Sequence, residues 1–148
     1  LDLIIQDLIR AHAVTAKTKD IKIETNVKET HNVIADYNML KTIIRNLLTN
    51  ALKFTKPGGS IALQVEQHDE KTLDISVEDT GIGMEKKVVD HLFDIEVNTR
   101  RTGTDEEPGT GLGLILCQGF LEKHGSELHV ISEKGKGSIF SFTLQVSN

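Results

Sequence analysis

The pattern that most limits the fold of this chain is a pair of alternating segments that directly follows a long amphipathic helix. Apolar and polar residues alternate over residues 60–67 and again over residues 72–78, with a polar turn between them. Such alternation is typical of strands with one buried face, and the short turn predicts that the two strands pair as an antiparallel hairpin. Other parts of the chain must therefore cover the apolar face of this sheet.

Helical segments can supply that cover. Apolar residues recur at steps of three and four over residues 37–54, which predicts an amphipathic helix. Asp36 is a suitable N-cap for this helix, and the sequence Lys-Pro-Gly-Gly at residues 56–59 ends it. Further helices are predicted at residues 1–18, 85–92 and 112–124, the last of them followed by Gly125 as a C-cap.

Four more segments have the composition of strands: residues 21–27, 32–35, 127–132 and 138–146. Hairpins separated by long helices predict an α+β fold, a two-layer sandwich in which helices cover one face of a mixed and mostly antiparallel sheet. A regular alternation of strand and helix is absent, which counts against a doubly wound sheet.

Size and charge restrict the function of the chain. Its 148 residues suit a single domain spanning residues 1–148, and no linker or repeat suggests a boundary. Lys and Arg number 17 against 22 Asp and Glu, and the resulting charge of −5 argues against a nucleic-acid partner. No apolar run is long enough to span a bilayer, and the single cysteine, Cys117, fits a reducing compartment. Local geometry must then hold any bound anion.

The first candidate site is a polar stripe on the helix at residues 37–54. At about 100° per residue, Asn46, Asn50 and Lys53 fall on one side of that helix. Two amides and an ammonium group can hold a hard cation and phosphate oxygens. Taken alone, the stripe is more typical of a solvated helix face than of a binding site.

The second candidate is the sequence Asp-Thr-Gly-Ile-Gly at the end of a predicted strand. The carboxylate of Asp79 could accept a hydrogen bond from an exocyclic amine, and Gly81 and Gly83 would let the backbone approach a flat ligand. A tight turn after an edge strand is the alternative.

The third candidate opens the helix predicted at residues 112–124. Gly109, Gly111 and Gly113 precede or begin this helix, and free N–H groups at a helix N-terminus form an anion site. The spacing fits neither a Walker A loop nor a dinucleotide-binding motif, and a hinge is a compatible alternative. Residues 94–110 before it are polar and show no period, which indicates a lid or a disordered segment.

In this order, the segments resemble the motifs of the ATP-binding catalytic domain of two-component sensor histidine kinases, within the superfamily shared with gyrase, mismatch-repair and heat-shock chaperone ATPases. Residues 46–55 resemble the asparagine box, residues 79–84 and 109–114 the two glycine boxes, residues 91–94 the phenylalanine box, and residues 135–140 the closing glycine motif. The resemblance covers essentially the whole chain and implies the Bergerat-type sandwich with a long ATP lid.

The resemblance implies ATP and Mg²⁺ as ligands and a role for each matched residue. Asn50 would bind Mg²⁺ and Lys53 would contact phosphate. Asn46 lies where gyrase and chaperone relatives carry a glutamate that activates water. Because an amide cannot act as that base, transfer of the γ-phosphate is favoured over hydrolysis.

The remaining matched residues would surround the nucleotide. Asp79 would accept the adenine amine, Gly81 and Gly83 would shape the adenine pocket, and Phe93 would anchor the start of the lid. Residues that would line or reach the triphosphate are Arg100 or Arg101, Gly109, Thr110, Gly111, Leu112 and Gly113.

The phosphate acceptor is expected on another domain, because none of the six histidines is followed by the acceptor pattern of this family. The chain also lacks an initial Met and begins within an apolar helical pattern, so we expect it to be part of a longer protein. Its partners would be the dimerisation domain that carries the acceptor histidine and, downstream, the receiver domain of a response regulator, in the cytoplasm. Alternatives are a non-catalytic nucleotide-binding regulatory domain and an ATP hydrolase.

Overall fold

The structure is a computed structural model that describes residues 1–29, 31–94 and 112–147. Within these ranges the helices are α1 (Asp2–Thr18), α2 (Tyr37–Phe54), α3 (Lys86–Asp90) and α4 (Gly113–Lys123). The strands are β1 (Lys22–Val27), β2 (Ser60–Gln67), β3 (Thr72–Asp79), β4 (His129–Glu133) and β5 (Gly137–Gln145). No helix in the described ranges has the length and apolar character needed to cross a membrane.

The five strands form one mixed sheet in the order β1-β2-β3-β5-β4. β1 runs parallel to β2, with α2 in the crossover between them, and the other neighbours are antiparallel. The β2–β3 turn is closed by the carboxylate of Asp69, which accepts the N–H groups of Lys71 and Thr72 at 2.8 and 2.9 Å. The predicted hairpin and the mostly antiparallel sheet are confirmed.

One face of the sheet is buried and the other is partly exposed. The buried positions alternate along the three central strands, each with at most 3% exposure: Ile61, Leu63, Val65, Leu73, Ile75, Val77, Phe140, Phe142 and Leu144. The apolar side of α2 packs on this face, and α1 and α4 flank α2. The predicted two-layer α+β sandwich is therefore confirmed.

Helix α2 has the bounds that the sequence predicts. The side chain of Asp36 accepts the N–H of Met39 at 2.9 Å, which caps its first turn. At its end, the buried hydroxyl of Thr55 donates to the carbonyl of Ala51 at 2.7 Å. The predicted apolar side is buried throughout, with 3% exposure or less: Ile43, Ile44, Leu47, Leu48, Ala51 and Leu52.

The prediction of a strand at residues 32–35 is wrong. This segment forms a single bridge, between Val33 and Val146, and Ile34 is 58% exposed. A strand needs a series of hydrogen-bonded pairs with a neighbouring strand. Residues 32–35 meet the sheet at the end of β5, where a single pair forms. Similarly, the predicted helix at residues 85–92 is helical only over Lys86–Asp90 and continues as a turn.

A close backbone approach joins the start of β5 to the end of β3. Gly137 has a φ of +98°, and a Cβ at this position would overlap the carbonyl oxygen of Asp79. Gly119 on α4 has open space around it and lies in a helix.

These two glycines provide a matched pair of substitutions. We expect Gly137→Ala to lower the free energy of unfolding by about 2 kcal/mol or more, because it adds both backbone strain and overlap. Gly119→Ala should raise it by about 0.5–1 kcal/mol, because alanine is the better helix former. Urea unfolding followed by circular dichroism measures both, and equal effects would contradict the assigned backbone contact.

Candidate functional site

The polar stripe on α2 lies at the edge of the buried side of that helix. Asn46, Asn50 and Lys53 are each half-buried and follow one another at single-turn intervals. The ammonium group of Lys53 lies 5.3 Å from the centre of the ring of Phe54. The stripe predicted from the spacing is therefore present, and it is partly shielded from solvent rather than fully exposed.

Asp79 ends β3 as a buried carboxyl, with 5% exposure. The N–H of Gly81 donates to its Oδ1 at 2.8 Å, and the N–H of Ser138 also donates to the carboxyl. Burial raises the pKa of Asp79 above its ordinary value of 3.8, the two hydrogen bonds lower it in part, and the nearby charge of Glu78 raises it. A carboxylate offers about four acceptor positions, so acceptor capacity remains after these two bonds.

The turn after Asp79 lies directly on the last turn of α2. A Cβ at Gly81 would overlap the carbonyl oxygen of Phe54, and the N–H of Ile82 donates to that same oxygen at 3.0 Å. Glycine at position 81 is thus required by the approach of two backbones. This contact fixes the carboxyl of Asp79 relative to the polar stripe.

The other side of the same turn lies on the β4–β5 connection. Gly83 has a φ of +65°, and a Cβ there would overlap the carbonyl oxygen of Glu133. The N–H of Gly135 donates to the carbonyl of Ile82 at 2.7 Å. The hydroxyl of Ser132 accepts the N–H of Met84 at 2.9 Å. The turn is held from two sides.

A cavity of about 300 Å³ adjoins this turn. Its walls are mostly apolar, and Lys134 at its rim pairs with Glu85 at 3.1 Å. The lining residues are Phe54, Ile82, Gly83, Met84, Glu85, Val88 and Lys134. A larger cavity of about 530 Å³ lies between α1 and β1 and contains none of the candidate residues.

The start of α4 lies against the stripe. The Cα of Gly113 faces Asn46, so that a Cβ added there would be 3.6 Å from the Asn46 Oδ1. Leu112, just before the helix, is 43% exposed, and Phe93 is half-buried against the core. The structure thus brings the described part of the second glycine segment to the asparagine stripe. Candidates outside the described residues are Arg100, Arg101, Gly109, Thr110 and Gly111.

Several contributors to the site were missed by sequence reasoning. Ser132 and Ser138 share a hydrogen bond at 2.7 Å and support the turn after Asp79 from β4 and β5. Cys117, which belongs to none of the three candidate sites, contacts the polar stripe from α4. Ser132 lies 48 positions from Met84 in the turn, and Cys117 lies 74 positions from Ile43 on α2. No spacing within the sequence signals such contacts. The contact between Lys53 and the ring of Phe54 could have been expected, because the two residues are adjacent in the sequence.

The described residues contain no group of three or more His, Cys, Asp or Glu side chains that could hold a metal ion. The amide oxygen of Asn50 is a hard ligand of the type that Mg²⁺ takes. Mg²⁺ in proteins often has one or two protein ligands, with phosphate oxygens and waters completing the shell. The donor set therefore fits a metal ion that arrives with a phosphate ligand.

The sequence matches the family described as histidine kinase-, DNA gyrase B-, and HSP90-like ATPase over residues 35–148. The adaptive-response sensory kinase SasA of Synechococcus elongatus is 37% identical over 112 residues, which are 76% of this chain and 28% of SasA. The chain spans about a quarter to a third of the length of such curated relatives.

Two solved structures share the fold. The mycobacterial sensor histidine kinase MprB has a TM-score of 0.77 and 26% identity, covering 96% of this chain and 94% of the MprB chain. Full-length ShkA in complex with AMPPNP has a TM-score of 0.83 and 26% identity, covering 97% of this chain and 30% of ShkA.

The raised pKa of Asp79 predicts a pH effect on stability. A folded-state pKa above the unfolded value means that ionising this carboxyl costs the folded state more than the unfolded state. The protonated carboxyl of Asp79 makes its full contribution to the free energy of unfolding below the ordinary pKa of 3.8. That contribution is lost as the pH rises through the raised pKa. We therefore expect the free energy of unfolding of Asp79→Asn, relative to that of the original chain, to increase as the pH rises above about 4.

Urea unfolding at a series of pH values measures this difference. Asp90→Asn, which removes an exposed carboxylate on α3, is the control and should follow the pH profile of the original chain. Parallel profiles for Asp79→Asn and the original chain would contradict the burial effect.

Proposed function

The chain belongs to the histidine kinase-, DNA gyrase B- and HSP90-like ATPase family, and we propose that it binds Mg-ATP and transfers the γ-phosphate to a histidine on a separate dimerisation domain. The observation that carries this proposal is the backbone contact between Gly81 and Phe54. This contact connects two groups. One is a buried carboxyl that can accept a hydrogen bond from a nucleobase, and the other is a stripe of two amides and one ammonium group that can bind phosphates.

The adenine end of the ligand would lie at Asp79. Because the N–H groups of Gly81 and Ser138 use part of its acceptor capacity, the remaining lone pairs can receive an exocyclic amine. Adenine offers such a donor at its 6-position, where guanine carries a carbonyl oxygen that the carboxylate would repel. ShkA, which shares the fold, has been solved in complex with AMPPNP, an adenine nucleotide analogue, and this supports the assignment.

The phosphates would lie along α2. Lys53 supplies a positive charge, and the stripe extends over about two helical turns, or roughly 11 Å. Asn50 would contribute an oxygen ligand to Mg²⁺, which when bound neutralises part of the triphosphate charge. Backbone N–H groups of Gly109, Gly111 and Gly113 and a side chain from Arg100 or Arg101 complete the proposed phosphate site, with Thr110 and Leu112 beside it and Phe93 at the start of the lid.

The nature of Asn46 favours phosphate transfer. An amide has no basic lone pair with which to deprotonate water, so this position cannot activate a hydrolytic nucleophile. In the proposed reaction, an imidazole nitrogen of the acceptor histidine bonds to the γ-phosphorus while the bond to the bridging oxygen breaks and ADP leaves. The chain contributes positioning and electrostatic stabilisation. A response-regulator receiver domain would take the phosphate next, in the cytoplasm.

Nucleotide binding is the first test. Calorimetry should show Mg-ATP binding to the chain and weaker binding by Asp79→Asn, by about 10- to 100-fold. In Asp79→Asn, the remaining side-chain oxygen would accept the N–H of Gly81. The new NH₂ group would then direct its N–H donors at the exocyclic amine of adenine, which is also a donor. Glu78→Gln removes an exposed charge from the adjacent residue and should bind ATP like the original chain. Absence of binding at millimolar ATP would refute the proposal.

Phosphate transfer is the second test. With the dimerisation domain of the parent protein supplied in trans and labelled ATP, we expect label on its histidine. Asn50→Asp should change the Mg²⁺ concentration at which the rate is half-maximal, because a carboxylate binds the ion more tightly than an amide. Steady release of phosphate by the chain alone would instead identify a hydrolase. Binding without transfer would identify a regulatory domain.

A further inference from the structure

Cys117 lies where α4 packs against α2, and it is completely buried. Its Sγ is 3.7 Å from the carbonyl oxygen of Ile43, to which the thiol donates. The side chain of Asn46, one turn further along α2, makes a hydrogen bond to the same sulfur. A single thiol therefore contacts both the backbone and the polar stripe of α2.

The protonation state of Cys117 suits this arrangement. Burial raises the pKa of the thiol to about 11, although the hydrogen bond from Asn46 lowers it in part. The group therefore remains a thiol at neutral pH, with an S–H donor for the carbonyl of Ile43 and lone pairs for the amide of Asn46. Cysteine at this pKa is a poor nucleophile, which argues for a role in orientation rather than in chemistry.

The beginning of α4 also lies close to Asn46. Its Oδ1 faces Gly113, the first residue of α4, at the distance of an ordinary van der Waals contact from where a Cβ would lie. The amide thus faces two residues of α4 that are four positions apart and on the same side of that helix.

We propose that Cys117 is a positioning residue that holds the amide of Asn46 in the orientation needed at the γ-phosphate. The proposal rests on the function proposed above and adds a residue that none of the sequence motifs contains. Through the thiol, the orientation of Asn46 depends on the placement of α4, the helix that begins at the second glycine segment.

Three substitutions at position 117 separate hydrogen bonding from packing. Cys117→Ser keeps a group that both donates and accepts. Cys117→Val fills the space with one additional heavy atom and makes no hydrogen bonds, and Cys117→Ala removes both the hydrogen bonds and the packing. We expect Ser to bind Mg-ATP nearly as the original chain does. Val and Ala should bind about three- to tenfold more weakly, because a neutral hydrogen bond is lost.

A double-mutant cycle with Asn46→Ala tests whether Cys117 acts through Asn46. If it does, Cys117→Val should have no further effect on Mg-ATP affinity once the amide is absent. An equal loss in both backgrounds would overturn the proposal and indicate packing alone. Failure of the original chain to bind ATP would instead refute the proposed function. A measurement that does not need nucleotide can still test the positioning role in that case.

The side-chain amide resonances of Asn46 in a ¹⁵N-labelled chain report its orientation directly. They should shift in Cys117→Val and Cys117→Ala and return towards the original positions in Cys117→Ser. Resonances of the exposed Asn38 at the start of α2 should stay in place and serve as the internal control. Unchanged Asn46 resonances in Cys117→Val would overturn the positioning role even in a chain that binds no ATP.

Discussion

The structure depends on a three-way backbone contact around the turn that follows β3. The carbonyl of Phe54 at the end of α2 touches one side of this turn, and the connection between β4 and β5 touches the other. Side chains at positions 81 and 83 would overlap backbone atoms, so glycine is the residue that permits the contact. Because the helix layer and the sheet meet here, the same constraint that closes the fold also sets the distance between the buried carboxyl and the polar stripe.

Sequence reasoning succeeds where the determining interactions are local. The bounds of α2 follow from its period, from the capping side chain of Asp36 and from the Pro-Gly-Gly segment after it, all of which lie within or next to the helix. It fails at residues 32–35, because a strand exists only if a partner edge is available, and that is a property of the tertiary structure.

The candidate site divides in the same way. The common stripe of Asn46 and Asn50 follows from helical geometry, and the glycines of the turn are recognisable as a motif. The support that Ser132 and Ser138 give to the turn and the contact of Cys117 with Ile43 join residues up to 74 positions apart. Such contacts depend on how helices and strands pack, and a single sequence carries no periodic signal for them.

The sheet order has a consequence for how the domain folds. β5, the last strand in the chain, lies between β3 and β4, and it brings Gly137 and Ser138 to the end of β3. During synthesis the ribosome completes the outer strand β1 and the β2–β3 hairpin long before this inner strand exists, so the edge of β3 that pairs with β5 has no partner. Pairing of strands that are far apart in the sequence is slow, and the intermediates that precede it are prone to aggregation. The nascent chain therefore gains an inner strand and one of the two N–H donors to its buried carboxyl in a single late step, and no partly synthesised form has a finished site.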